Sequence, residues 1–463
     1  MPVVSGSYAL ELSGDRLFLQ AWTATENLSR RITGVLDRGS ASIDFAVERF
    51  GKRSGVLQVY DAAKPKAANV TRKAARQSYR EQFRRSLLRQ FPGWRIAEIS
   101  TEPDLEHSLS PAYPRALLRK GQLALAAIGC PPDATDVDGV LTFGLIWLMY
   151  VRKRDRDHRV NGLAVFVPEQ RRRATCSRML YLDPNFADFS VFAYTTRSER
   201  QVDLRDYGNI DTTLPNRGGR GDAEREWWTQ RLSQIDGVSQ REEAGGRVSW
   251  TVRGLEFARW TPGSGLSFGL ETTCVARESN LPEIESLGRE LARMRAADAS
   301  DRYNPLYVKK PELWFEAQVR ASLNEIDASV AAEPVYRQAP AFAAGDRNVL
   351  DLLAADHTGR LVVVEVKVSE DLHLPLQALD YWIRVNWHAQ RGDFARSGYF
   401  SGKQLRSDPP RLLLVAPALH YHPTTDSILQ AFTPAVEVDT IGVGMDWRAE
   451  MKVMFRKRRG ARP

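Results

Sequence analysis

The sequence has little cysteine and no apolar run long enough to span a membrane. Its 463 residues include three cysteines, Cys130, Cys176 and Cys274, which are far apart and form no CxxC or Cys/His spacing. This argues against a disulfide framework and against a zinc site. The longest apolar run, Gly139 to Val151, falls short of the roughly 20 residues that a membrane span needs, so we expect a buried helix there. No basic region followed by an apolar one stands at the start, so we expect no secretion signal, no membrane association and a cytoplasmic protein.

Motifs of several enzyme classes are missing as well. The sequence contains no glycine-rich phosphate loop, no GxSxG nucleophile and no Cys/His nucleophile pair. His420 and His422 form an HxH pattern, but no nearby Cys or carboxylate completes a metal-binding set. We therefore expect a plain loop at these two histidines.

The residues that are present are typical of a soluble globular protein with a basic surplus. Hydrophobic residues make up 43% and charged residues 26% of the chain, which is the composition of packed domains. A chain of this length should divide into two or three domains, because single cores stop growing well before it. Lys and Arg outnumber Asp and Glu by 65 to 57, and the formal charge of +8 favours a polyanionic partner such as nucleic acid, although many soluble proteins are mildly basic.

Composition shifts divide the chain into four segments. We predict an N-terminal α/β region over 1–215, made of one domain or two small ones, with a Pro- and Gly-rich linker at its end. A β-rich middle segment with a connecting helix follows over 222–300. A further domain covers 304–450, and 451–463 is a basic tail that we expect to fray. The N-terminal region could serve a protein partner or a homodimer.

The segment 304–450 has the clearest order of elements. Apolar periodicity and turn residues predict an α/β sandwich with a central mixed sheet. In chain order the predicted elements are a helix at 311–326, strands at 334–338, 348–354 and 361–368, a helix at 374–390, a strand at 411–416, a helix at 424–432 and a strand at 435–441. The expected fold class is therefore mixed α/β, with an αβββαβ core in the last third of the chain.

Three charged residues stand in the apolar strands of this segment. The Val-rich run from Leu361 to Val368 is typical of a strand covered on both faces, yet it carries Glu365 and Lys367. Because side chains alternate along a strand, these two point to the same face, about 7 Å apart. Asp351 lies in the preceding strand, and a short turn between the strands allows it to face Glu365 across a hairpin.

Two neighbouring carboxylates repel each other unless a cation lies between them, which indicates a divalent metal site. Mg²⁺ prefers oxygen ligands and keeps several waters beside one or two carboxylates, and Asp351, Glu365 and the carbonyl of Val366 could supply such a set; Mn²⁺ could substitute. Lys367 can orient the attacking water or stabilise charge on the phosphate, while the metal polarises the phosphoryl oxygen. This set is sufficient for phosphodiester hydrolysis. The alternative is an internal ion-pair network, which is a poor device for stability.

Two helices add polar residues to this region. Glu316 lies on the apolar stripe of the first helix, where it is either a further metal ligand or a partner of Arg320. On the second helix, Gln377 and Tyr381 belong to a polar stripe that continues to His388. This stripe could hold a phosphate backbone, or it is a solvated face on which His388 is a surface histidine.

Together these residues resemble the (D/E)…ExK…QxxxY signature of the PD-(D/E)xK nuclease superfamily, in its exonuclease and phage-defence branches. The matching residues are Asp351, Glu365, Lys367, Gln377, Tyr381 and, on the first helix, Glu316. Leu350 stands where the family name implies a proline, and the resemblance covers about a third of the chain. It implies a restriction-endonuclease-like fold in which the motif carboxylates bind magnesium, the lysine serves the attacking water, the Gln and Tyr contact the substrate near the site, and a first-helix glutamate often contributes.

We therefore predict a magnesium-dependent nuclease that hydrolyses phosphodiester bonds of nucleic acid, with DNA as the expected substrate. The alternative is a catalytically inactive nucleic-acid-binding or scaffold protein that retains a nuclease fold. Two weaker patterns stay open. A basic, amphipathic stretch from Arg72 to Arg89 is either a phosphate-binding helix or a solvated helix face. The strands at 42–60 could be a decayed copy of the catalytic hairpin, a reading that we do not favour.

Overall fold

The chain divides into two compact units, 1–82 with 299–309 and 83–298 with 310–463. The structure, a computed structural model, describes residues 8–13, 16–22, 27–38, 42–49, 53–60, 65–102, 104, 106–131, 134, 137–194, 198–205, 214, 222–243, 246–340 and 349–459. Within these ranges the chain forms four β-sheets together with helices. The mixed α/β class predicted from the sequence is confirmed.

The first unit contains a five-stranded antiparallel sheet. Its strands, hydrogen-bonded in chain order, are β1 Tyr8–Ser13, β2 Arg16–Trp22, β3 Asn27–Arg38, β4 Ser42–Arg49 and β5 Arg53–Tyr60. Leu19, Ile32 and Val47 are buried together in this sheet. Strands β4 and β5 are consecutive strands of a meander without a helical crossover in its described part, so the reading of 42–60 as a decayed catalytic hairpin is wrong.

Helix α1, Pro65–Gln90, leads into a six-stranded sheet. The strands, adjacent in chain order, are β6 Arg95–Ser100, β7 Arg115–Lys120, β8 Leu123–Gly129, β9 Arg159–Pro168, β10 Asp188–Tyr194 and β11 Glu199–Val202. Helix α2, Val140–Arg154, connects β8 to β9, and helix α3, Arg172–Met179, connects β9 to β10. The buried helix expected over the apolar run 139–151 is α2. The basic stretch lies on α1, where Arg89 pairs with Glu199 at 2.6 Å.

The middle segment forms a third, antiparallel sheet between two helices. Its elements are α4 Ala223–Leu232, β12 Val238–Glu242, β13 Val248–Val252, β14 Leu255–Thr261, β15 Gly265–Phe268, β16 Cys274–Val275 and α5 Leu281–Met294. Asp222 begins α4, because its side chain accepts hydrogen bonds from the backbone N–H groups of Glu224 and Arg225. The predicted linker before it lies outside the described residues, apart from Leu214.

The last sheet follows the predicted αβββαβ order, with an added strand. After α6 Pro305–Val308, its elements are α7 Pro311–Ala321, α8 Leu323–Ile326, β17 Tyr336–Pro340, β18 Val349–Ala355, β19 Leu361–Val366, α9 Leu374–Arg391, α10 Asp393–Arg396, β20 Arg411–Pro417, α11 Thr425–Gln430, β21 Val438–Val443 and β22 Val453–Arg459. The helix predicted over 311–326 is interrupted at Ser322, so it forms α7 and α8.

The expectation of a frayed basic tail over 451–463 is wrong for Val453–Arg459, which form β22 and pair antiparallel with β21. Arg456 and Arg458 lie beside the buried Asp439, with the closest contacts at 3.4 and 2.9 Å. The basic residues are therefore held by ion pairs as well as by the sheet. Residues 460–463 lie outside the described part of the chain.

The two six-stranded sheets have the same topology. In each, the first three strands are antiparallel, the third, fourth and fifth are parallel, and the sixth is antiparallel to the fifth. In each, a long helix, α2 or α9, lies between the third strand and the fourth, with the short α10 added in the second lobe, and a helix, α3 or α11, lies between the fourth strand and the fifth. Side chains from both sheets and from α2, α3, α9 and α11 belong to one continuous hydrophobic core. We name the part from 95 to 202 the first lobe and the part from 310 to 459 the second lobe.

Candidate functional site

The predicted site lies at one edge of the second lobe, where β18 begins and the antiparallel strand β19 ends. Strand β19 is buried along its whole length, as its Val-rich sequence predicts. It pairs antiparallel with β18 and parallel with β20. The register pairs Leu352 with Val364, and one step further it sets Asp351 opposite Glu365. Lys367 follows β19 directly, and its backbone N–H donates to the carbonyl of Val415 on β20.

The structure brings the carboxyl groups of Asp351 and Glu365 together. They lie within hydrogen-bonding range of each other, and the backbone N–H of Val366 donates to Asp351 Oδ2 at 2.9 Å. That backbone bond fixes the Asp351 side chain against the end of β19. The predicted convergence of the two acids across the hairpin is therefore present.

Burial sets the protonation of this pair. Glu365 is 2% exposed, and burial followed by repulsion from Asp351 raises its pKa well above the usual range. Burial and repulsion from Glu316 raise the pKa of Asp351 to about 7. Among the described residues no N–H or O–H group donates to Glu365 Oε2, which is buried. A buried carboxyl oxygen without a donor favours either a proton or a cation as its neighbour.

Lys367 is the basic member of the set. Its Nζ lies 3.8 Å from Glu365 Oε1 and 4.0 Å from Asp371 Oδ2. Burial by itself would lower the pKa of Lys367, but Glu365, Glu312 and Asp371 outweigh it, and the pKa is raised. The ammonium group is therefore charged, and it stands beside the acids at a distance longer than a direct hydrogen bond.

Glu316 is positioned near the site, but a base already holds it. Both of its carboxylate oxygens accept hydrogen bonds from Arg337 on β17, at 2.6 and 2.9 Å, and both side chains are buried. The partner anticipated from spacing, Arg320, is instead a more distant neighbour that feels the charge of Glu316. A role for Glu316 as a metal ligand stays a prediction, and it requires the pair with Arg337 to open or to share an oxygen.

Helix α9 carries the QxxxY residues, and its burial differs from the expectation. Tyr381 is buried, and burial followed by the nearby Glu365 and Asp351 raises the pKa of its phenol. Gln377 is half-buried. His388, expected on the surface, is 3% exposed, and its Nδ1–H donates a hydrogen bond to Asp393 Oδ2 at 2.7 Å. The idea of a solvated polar stripe is wrong, because α9 is covered by its own sheet on one side and by α3 and α11 on others.

Two residues near the site, Arg337 and Asp371, were missed from the sequence, and the contact made by a third, His420, was not predicted. Arg337 is a lone arginine in a short strand, and its partner is far away in the chain. Asp371 lies one helical turn's spacing after Lys367, a signal that could have been read. His420 hydrogen-bonds the carbonyl of Val368, which ties down the segment after Lys367 from a neighbouring loop. The loop expected at this histidine is present, and it has a positioning role.

The donor set fits a hard divalent cation with few protein ligands. Two carboxyl groups converge, Glu365 Oε2 receives no hydrogen bond from the part of the chain that the structure describes, and the carbonyl of Val366 lies at the same strand end. Such a set matches the small number of carboxylates that Mg²⁺ takes beside its waters. Within the described ranges, no group of three His, Cys, Asp or Glu side chains is arranged to hold a metal ion. The pairing of Glu316 with Arg337 leaves Asp351 and Glu365 as the carboxyl donors of the predicted set.

Comparison with protein-family models and with curated proteins gives no match to this chain. No helix in the described part of the chain combines the length and the apolar character that crossing a membrane requires. Function is therefore argued from the residues of the site.

Proposed function

We propose that this protein is a metal-dependent nuclease that hydrolyses phosphodiester bonds of nucleic acid, with DNA as the substrate to test first. The observation that carries the proposal is the pairing of Asp351 with the buried Glu365, where one Glu365 oxygen receives no hydrogen bond from the described residues and Lys367 lies beside it. Perturbed carboxyl pairs of this kind are concentrated at functional sites. The resemblance of the same residues to the PD-(D/E)xK signature supports the reaction class.

The residues take distinct roles in this proposal. Asp351, Glu365 and the carbonyl of Val366 would hold Mg²⁺, or Mn²⁺ as a substitute. When bound, the ion would polarise the phosphoryl oxygen and lower the pKa of water. Lys367 orients the attacking water and stabilises negative charge on the phosphate, because its ammonium group is charged and adjacent. Tyr381 closes the inner side of the site and excludes bulk water there.

The charge of the chain supports a polyanionic substrate. The formal net charge is +8, and nucleic-acid binding gains from each phosphate that a lysine or arginine neutralises. Arg384 lies on α9 near Tyr381 and is the nearest residue of the predicted phosphate-binding run with a fixed positive charge. Gln377 would contact the substrate from the same helix.

The test is a cleavage assay with Glu365→Gln and Lys367→Met, which remove the charge of the two residues while keeping their size. Linear, circular and single-stranded DNA and RNA are incubated with Mg²⁺, with Mn²⁺ or with a chelator. We expect each variant to lose at least about a hundredfold in cleavage rate, the scale on which a single stabilising group in a reaction centre acts. The chelator should abolish cleavage by the unaltered protein.

Matched controls come from an exposed ion pair of the same lobe. Asp426 and Lys457 lie 2.6 Å apart at the surface, so Asp426→Asn and Lys457→Met should keep the parent rate. If the Glu365→Gln chain still binds DNA, and its folding and unfolding rates depend on denaturant as those of the parent do, the variant has lost the reaction and not the fold. Metal-independent DNA binding without any cleavage by the parent protein would instead establish the scaffold alternative.

A further inference from the structure

The two lobes of the second unit can be compared residue by residue, because their sheets have the same topology. In the first lobe, Gly129 at the end of β8 pairs with Phe166 on the parallel strand β9. In the second lobe, Val366 at the end of β19 pairs with Val415 on β20. Gly129 therefore takes the place of Val366.

The residues on either side of this position give the counterparts of the two charged residues of β19. The backbone N–H of Cys130 donates to the carbonyl of Phe166 at 2.9 Å, as that of Lys367 donates to its strand partner at 3.1 Å. Cys130 is thus the counterpart of Lys367. Ile128, two residues earlier, is the counterpart of Glu365.

The neighbouring strand supplies the third counterpart. Arg115 on β7 pairs with Ile128 on β8, in the way that the register sets Asp351 opposite Glu365. Arg115 is therefore the counterpart of Asp351. The first lobe has an arginine, an isoleucine and a cysteine where the second lobe has the aspartate, glutamate and lysine of the proposed reaction centre.

The helix after the third strand carries an aromatic residue at the same position in each lobe. Trp147 stands as far into α2, which begins at Val140, as Tyr381 stands into α9, which begins at Leu374. Tyr381 lies beside the acids of the second lobe. Trp147 lies beside the counterpart arginine, whose guanidinium carbon is 5.6 Å from the indole ring centre.

The counterpart position in the first lobe is built to exclude a metal ion. Arg115 is 5% exposed, and its guanidinium donates to the carbonyl of Glu102 at 2.8 Å. Ile128 and Cys130 are buried and offer no carboxylate. A fixed positive charge in place of an acid repels a divalent cation, and the three counterpart positions supply none of the carboxylate oxygens that Asp351 and Glu365 would offer.

The lobes meet like the two halves of a symmetric dimer. Helix α3 of the first lobe packs on α9 of the second, and α11 of the second packs on α2 of the first. Leu182, which follows α3, forms a β-bridge with Phe432, which follows α11. Equivalent segments that contact each other in this way define an isologous interface. A nuclease with one centre on each half of such a dimer could cut both strands of a duplex, whereas the described residues of this chain place the acids and the lysine in the second lobe and not at the counterpart positions of the first.

We propose that the first lobe is a nuclease lobe without a reaction centre, and that the chain therefore breaks one strand of a duplex per binding event. The inference rests on the proposed function and deepens it, because it assigns a nicking activity. In each event one water adds across one P–O bond. Its oxygen bonds to phosphorus, the bond to the leaving sugar oxygen breaks, and that oxygen takes up a proton.

Supercoiled circular DNA tests this directly, because one break gives a nicked circle and paired breaks give a linear molecule. With Mg²⁺ and DNA in excess over the full chain, we expect the nicked circle to be the first product and linear DNA to appear only after a lag. Cys130→Ala should keep the nicking rate within about twofold, whereas Lys367→Met should lose it. Linear DNA that forms from the start at the same rate as the nicked circle would overturn the inference.

Mn²⁺ binding separates this inference from the proposed function. In the unaltered chain and in Cys130→Ala we expect saturable Mn²⁺ binding that is lost completely in Glu365→Gln. Mn²⁺ that stays bound in Glu365→Gln with undiminished affinity shows a cation site outside the second lobe's centre and overturns the one-centre inference. An unaltered chain that binds no Mn²⁺ and cuts no substrate overturns the proposed function itself, and the one-centre inference falls with it.

Discussion

Burying two carboxyl groups side by side costs free energy, because a poorly polarisable surrounding penalises each charge and each charge repels the other. At Glu316 the negative charge is compensated by Arg337, which donates two short hydrogen bonds to the carboxylate. At Glu365 the nearest base, Lys367, stands 3.8 Å away and one carboxyl oxygen receives no donor from the described residues. Two neighbouring acids with such different partners indicate a structural role for Glu316 and a ligand for Glu365.

Metal binding should tighten as the pH rises. Burial and the charge of Glu316 raise the pKa of Asp351 to about 7. Protons therefore compete with Mg²⁺ for this carboxyl group below that pH, and the deprotonated carboxylate can bind the ion above it. We expect Mg²⁺ affinity, measured by calorimetry between about pH 5 and about pH 9, to rise through about pH 7 and to go on rising above it, because the pKa of Glu365 is raised as well. An affinity that does not change across this range would contradict the assignment of Asp351 as a ligand.

The same pKa fixes a pH dependence of stability. The folded-state pKa of Asp351 lies above its value in the unfolded chain, so the protonated carboxyl contributes to the free energy of unfolding of the metal-free protein. This contribution is complete below the unfolded-state pKa and is lost as the pH rises through about 7. Added Mg²⁺ should restore the free energy of unfolding most at the high end. Asp351→Asn serves as the control, because it removes one of the two titrating carboxyl groups and should weaken the dependence, while Glu365 still titrates.

At the scale of single elements, the sequence predicted the strands and helices of the second lobe well but not the contacts between them. Alternation along β18 and β19 identified Asp351, Glu365 and Lys367, because that signal is local. The partner of Glu316 could not be read locally, since Arg337 lies on another element and only packing brings α7 onto β17. Burial of α9 was underestimated for the same reason: one side of the helix is covered by the first lobe, which leaves no pattern in the sequence of α9.

The ion pair between Glu316 on α7 and Arg337 on β17 should stabilise the part of the fold next to the site. Arg337→Met leaves Glu316 buried without its main partner, and breaking a buried pair costs roughly 3–5 kcal/mol. We expect about 3 kcal/mol, the lower end of that range, because Arg241 and Arg320 also face Glu316 and offset part of its charge. Denaturant unfolding of the full chain measures this loss.

The double variant Arg337→Met with Glu316→Gln provides the control for this pair. It removes the uncompensated charge, so it should recover a large part of the lost free energy of unfolding. If the double variant loses as much as the sum of the two single variants, the two side chains are energetically independent and the pair does not stabilise the contact between α7 and β17.

At the scale of the whole molecule, the sequence predicted the fold class and the closeness of Asp351 to Glu365, but not the repeated topology of the two lobes. The first lobe lacks the acids and the lysine that made the second lobe recognisable, and the residues at the equivalent positions, Arg115, Ile128 and Cys130, look like ordinary strand residues. The sequence pattern therefore pointed to a copy at 42–60, where the strands belong to a meander. Strand order and hydrogen-bond register, which depend on long-range pairing, carry the likeness between the lobes.

The shared core predicts that the two lobes unfold together. Arg178 on α3 makes two hydrogen bonds, at 2.9 and 2.6 Å, to Asp380 on α9, and both side chains lie largely within the interface. Removing the arginine leaves an unpaired carboxylate there, so Arg178→Met should lower the free energy of global unfolding by about 3 kcal/mol. Hydrogen exchange limited by global unfolding should then become about a hundredfold faster.

Exchange in peptides from β8 and from β19 distinguishes one cooperative body from two. If the core is shared, the Arg178→Met chain should show the same acceleration in both strands, although the altered residue belongs to the first lobe. An acceleration confined to β8 would mean that the lobes unfold separately and would contradict the prediction. Arg200→Met is the matched control, because Arg200 pairs with Glu169 at the surface, with 57% of its side chain exposed, and exposed pairs contribute less than about 1 kcal/mol.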